Sequence, residues 1–123
     1  MLIVINRGCG GFDLSKEAIK ELALRKGWKL KRDNWGDYIM VFPDGNESWW
    51  SPIWLDRRDP DLIAVVRELG EDANTEYTEL KIVEIPDNID WEIIENDDGS
   101  EMIAEKGHIW KWLKDSDKKI FML

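Results

Sequence analysis

Ile89-Asp90-Trp91-Glu92-Ile93-Ile94-Glu95, then Asn96-Asp97-Asp98-Gly99, then Ser100-Glu101-Met102-Ile103-Ala104-Glu105-Lys106, has the pattern of a β-hairpin. Ile89, Trp91 and Ile93 alternate with Asp90, Glu92 and Ile94, the period of a strand with one buried face. Asn96 to Gly99 is turn chemistry, and it returns the chain into Glu101 to Lys106 as a hairpin. Strands joined so tightly run antiparallel, which points away from a doubly wound parallel sheet. Working back from there, Thr78 to Ile85 reads as a strand ended by Pro86. Asp59-Pro60-Asp61 opens a helix, with Asp at the N-cap, Pro in the first turn and a second acid in the positive end. Leu62, Ile63, Val66 and Leu69 form its apolar side, and Gly70 closes it. Earlier still, Tyr38, Met40 and Phe42 alternate before Pro43-Asp44-Gly45-Asn46, and Ser48 to Leu55 reads as the return strand, at an edge or bulged because Pro52 lacks an N–H. The chain opens with a buried strand, Leu2 to Asn6, a loop Gly8-Cys9-Gly10-Gly11-Phe12, and a helix from the N-cap Ser15 to Gly27. Gly107 to Trp112 is too short to classify, and Lys118 to Leu123 reads as a docked strand or a mobile tail. Strand, helix, hairpin, helix, hairpin is an α+β order: one compact domain with a mixed or antiparallel sheet, two main helices and β-hairpins.

The size agrees with one domain, since 123 residues and an apolar share of 43% suit a single core. No run approaches the roughly 18 apolar residues of a membrane span, and Met1 to Asn6 is too short for a signal-peptide core. The expected location is cytoplasmic. One cysteine, Cys9, permits no internal disulfide, and one histidine, His108, leaves too few ligands for zinc. No cofactor is implied. Net charge is -9, and residues 61–123 carry 17 acids against 7 bases, whereas residues 1–60 carry 9 against 10. Such a field repels a phosphate backbone and disfavours nucleic-acid binding. It either solubilises the chain or draws in a basic groove on another protein, with Asp97, Asp98 and Glu101 as the partner-facing patch.

The segments Ile3-Val4-Ile5-Asn6, Gly10-Gly11-Phe12-Asp13-Leu14-Ser15, Arg58-Asp59-Pro60-Asp61-Leu62-Ile63, Leu80-Lys81-Ile82-Val83-Glu84-Ile85-Pro86, Trp91-Glu92-Ile93 and Ala104-Glu105-Lys106 form a combination. Through them the chain resembles a family of small phage and prophage proteins of unsettled biochemical function. Trp28 to Leu55 departs from the family pattern, as does Gly8-Cys9, where the family has Cys one place earlier followed by Tyr. The resemblance implies a virus-encoded accessory protein that blunts a host defence, and it implies no reaction.

Four constellations bear on chemistry. Asn6, Arg7, Gly10, Gly11 and Phe12 lie where a strand turns into a helix, an arrangement that holds anions on backbone N–H groups when they are free. Asp13 stands where the dinucleotide fingerprint needs its third glycine, so the loop equally reads as a tight turn. Arg57-Arg58-Asp59 sets two guanidiniums at a helix start, with Arg58 either gripping a phosphate or carboxylate or tied to an internal acid. Glu105, His108 and Trp110 include the only group that titrates near neutrality unperturbed. Cys9 as a nucleophile would need His108 alongside. A calcium loop centred on Gly99 fails because Ile94 would hold its first ligand position. Of eight Trp, four crowd the central hairpin, and the rings of Trp49 and Trp50 must point to opposite faces, so at least one nears the surface.

Two functional readings follow. One is a non-catalytic binding protein that masks a basic host protein or sequesters a nucleotide-like ligand between the glycine loop, Arg58 and a Trp. The other is a small hydrolase of phosphorylated or nucleotide substrates with Glu105 or His108 as base.

Overall fold

Ile3, Val4 and Ile5 are each fully buried, which an unbroken β-branched run achieves only in a strand covered on both faces. The computed structural model describes residues 1–105 and the backbone of Ile120–Phe121. The elements are β1 (Leu2–Asn6), α1 (Lys16–Lys26), β2 (Lys29–Arg32), β3 (Tyr38–Val41), β4 (Glu47–Trp49), a 3-10 turn (Pro52–Trp54), α2 (Pro60–Leu69), a second 3-10 turn (Gly70–Ala73), β5 (Leu80–Glu84), β6 (Trp91–Glu95), β7 (Glu101–Glu105) and β8 (Ile120–Phe121). Among the described residues all strand pairings are antiparallel, in three small sheets: β1-β5, β2-β3-β4 and β6-β7-β8. The protein is thus an α+β fold, with two α-helices among the described residues.

The ribbon β1-β5 is the middle layer. Val4 on one face joins Ala18, Ile19 and Leu22 of α1 and Leu62, Val65 and Val66 of α2 in the larger core. Ile3 and Ile5 on the other face join Val83, Ile85 and Ile103 of β7 in a second core. Period-two alternation therefore distributes one strand between two cores. The helices begin and end where their caps dictate. The Ser15 hydroxyl accepts the Ala18 N–H, Gly27 closes α1 at φ 71, and Asp59 accepts the Asp61 N–H at the start of α2. Lys26 in the last turn of α1 reaches Asp59 at 2.6 Å and Asp61 at 3.1 Å, fastening the two helices end to start.

Two strands differ from the sequence reading. Lys29–Arg32 is a strand, although its side chains are mostly exposed, because pairing with β3 satisfies its backbone. The strand read over Ser48 to Leu55 is cut to Glu47–Trp49, since Ser51 caps a 3-10 turn that Pro52 initiates. β4 is an edge of its sheet, and Pro52 lies beyond it. At the C-terminal end, Ile120–Phe121 pairs with Ala104 and Ile103 of β7, while the stretch from Gly107 to Trp112 lies outside the described residues. No helix among the described residues is long and apolar enough to cross a membrane.

Candidate functional site

The glycine loop and the acidic turn, two motifs some ninety residues apart, meet in one knot. Asn6 is fully buried. Its side-chain oxygen accepts the N–H groups of Gly8 at 2.8 Å and Glu79 at 3.0 Å, and its amide donates to the carbonyls of Gly8 and Gly99. Glu101 is only 4% exposed. Its carboxylate accepts the Asn6 backbone N–H at 2.8 Å and a two-pronged contact from Arg57 at 2.7 and 2.9 Å. The Arg57 guanidinium lies 3.5 Å over the Phe12 ring, and Arg7 donates to the Glu101 carbonyl. A Cβ on Gly99 would run into the Gly11 amide nitrogen and come 3.1 Å from the Cys9 carbonyl. One on Gly10 would meet the Tyr77 side chain. Close approach of three loops is what these glycines serve.

That geometry corrects several sequence expectations. Glu101 is not on a partner-facing patch; it points inward because the Arg57 guanidinium needs a buried counter-charge. Asp97 and Asp98 of the same patch are exposed. Hydrogen bonds from the Ser100 side chain and N–H, with the Arg7 charge adding to them, outweigh lost hydration and hold the Asp98 carboxyl below its ordinary value. Four N–H groups at the start of the loop are not free for an anion: those of Asn6, Arg7, Gly8 and Gly10 go to Glu101, Glu79, Asn6 and Tyr77. Phe12 is buried under Arg57 rather than presented to a ligand. Arg58, unlike its neighbour, is exposed and chelated by Asp56, whose carboxyl its side-chain hydrogen bonds lower most. Glu105 ends β7 opposite Trp91, roughly 13 Å along the strand from Glu101, so it does not join the knot. Cys9 is exposed. His108 and Trp110 lie outside the described residues. No cluster of three metal-ligating side chains occurs among the described residues.

The concave surface lies elsewhere, where the central hairpin faces the start of α1. A groove of about 800 Å³ is floored by Leu14, Ile19, Tyr38, Trp50 and Pro52 and flanked by Trp49 and Trp54. Its rim carries three acids, Asp13, Asp37 and Glu76, and one base, Lys16. Trp49 and Trp50 differ in environment. Trp50 packs edge-on at 6.2 Å against Trp28, itself edge-on to Phe42, while Trp49 is 66% exposed. Trp54 at 62% and Trp35 at 82% are also presented to solvent. Trp49 additionally lines a second hollow of about 400 Å³ with Trp35, Ile39, Asp33 and Glu47, and so forms the ridge between the two. Its indole N–H donates to Asp33 at 3.2 Å. Partial loss of hydration pushes the Asp33 carboxyl up most, but the N–H donors of Asp37 and Trp35 and the Trp49 indole together hold it below its ordinary value.

No protein-family model, curated protein or solved structure matches the chain. The site therefore rests on its own chemistry. Large apolar side chains at this exposure, set around a concavity, are the surfaces that partners bury. The sequence carried a trace of this in the crowding of Trp35, Trp49, Trp50 and Trp54 within twenty residues.

Proposed function

We propose that this protein is an accessory binding protein of phage type, acting without catalysis by occupying a host protein in the host cytoplasm and so countering a defence. The observation that carries the reading is the pair of exposed indoles, Trp49 and Trp54, framing an acid-rimmed groove. Indoles supply most of the energy of an interface when they sit at its centre. Of the two binding versions open in the sequence, masking a protein is favoured over trapping a nucleotide. Arg58 and four N–H groups between Asn6 and Gly10 are engaged internally, and the groove's rim acids outnumber its base.

The experiment compares immobilised wild-type protein with a Trp49→Ala/Trp54→Ala variant in host lysate, with native mass spectrometry of what each retains. A stoichiometric protein partner held by wild type and lost by the variant is the expected result. Equal retention by both, or recovery of a chemically altered small molecule, overturns the reading.

A further inference from the structure

We propose that the groove receives an arginine side chain on an exposed basic segment of the partner protein. This deepens the binding reading and rests on it. Asp13, Asp37 and Glu76 line the groove, and among the described residues none of them has a cation within ion-pair distance. Asp33 and Glu47 in the neighbouring hollow are already engaged, by the Trp49 indole and by Lys31. Among the described residues Asp13 accepts only the Leu14 N–H, so carboxylates without a cation gather around the groove that the exposed Trp49 and Trp54 also line.

A guanidinium suits this combination better than an ammonium or an anion. It is planar and weakly hydrated, stacks on an indole, and donates in pairs to a carboxylate. The protein combines ring and carboxylate in this way once within itself, where Arg57 stacks on Phe12 while held by Glu101, and Arg32 lies 4.5 Å over the Tyr38 ring beside the groove. The Trp49 ring is oriented in advance by its bond to Asp33, which lowers the cost of ordering it on binding. A net charge of -9 attracts a basic segment from a distance.

The probe is an acetylated, amidated peptide alternating arginine and glycine, compared with the same peptide carrying neutral citrulline at each arginine, by calorimetry at low salt. The arginine peptide should bind about tenfold or more tightly than the citrulline peptide. Trp54→Ala and Asp37→Asn/Glu76→Gln should each weaken it about tenfold, and Trp54→Phe should retain most of the affinity. Glu84→Gln/Asp90→Asn removes equal charge outside the groove and should change little. Loss in that control as large as in the groove variant would mean diffuse attraction and overturn the proposal. Equal binding of both peptides, each lost in Trp54→Ala, overturns the arginine assignment while leaving the groove as a binding surface. Failure of both peptides to bind overturns the assignment, as does binding of a neutral oligosaccharide such as cellohexaose in their place. Arginine-peptide binding untouched by any groove variant overturns the groove reading as well.

Discussion

Gly45 and Gly99 occupy the same left-handed region, φ 88 and φ 89, at the tips of two hairpins, yet they answer to different constraints. A Cβ on Gly45 meets nothing within 4 Å, whereas one on Gly99 collides with the Gly11 backbone. Gly45→Ala should cost about 1 kcal/mol in backbone strain. Gly99→Ala should cost about 3 kcal/mol, strain and collision together. Urea unfolding of the two variants measures the difference, and equal midpoints would mean the loops yield. Glu101 and Asp97 make a second contrast. Removing the charge with Glu101→Gln leaves Arg57 half-paired in a buried site and should destabilise by about 3 kcal/mol. Asp97→Asn on the exposed turn should stay within about 0.5 kcal/mol. Nothing in the sequence around Glu101 separates it from the acids beside it; its counter-charge is 44 residues away, so its burial is a tertiary fact.

At the level of elements, what was legible is what is decided locally. Ser15 and Gly27 bound α1, and Asp59-Pro60 and Gly70 bound α2, because caps act on backbone groups within one turn. The 96–99 turn set the β6-β7 hairpin for the same reason. β2 was not legible, since Lys29-Leu30-Lys31-Arg32 has one apolar residue, the half-buried Leu30, and takes strand form from its partner. The groove was equally hidden, because Asp13, Asp37, Trp54 and Glu76 come from four separate segments; only the crowding of Trp foretold it. The junction of α1 and α2 carries a pH signature. Desolvation lowers the Lys26 value most, but bonds to Asp59 and Asp61 outweigh it and raise the ammonium above 10.5. A folded value raised in this way adds stability that is complete below 10.5 and is lost as pH climbs through the raised value. The stability advantage of wild type over Lys26→Met should therefore be full at neutral pH and shrink only in strong alkali, as followed by thermal melts. A gap that persists unchanged through strong alkali would overturn this assignment.

Across the whole molecule, a charge of -9 on so small a body repels itself. Added sodium chloride should raise the melting temperature by screening this field, while weakening any association with a basic partner. Calorimetry across a salt series reads the first effect, and a melting point that falls with salt would place the favourable ion pairs above the repulsion. The middle ribbon has a different consequence. Neither strand of β1-β5 can keep itself dry, for each of its faces serves as the inner wall of a separate room, the helices living in one and the β6-β7 hairpin in the other. Severing the chain at Pro86 would strip the cladding from one side of that wall, so the two rooms stand or fall as a single building.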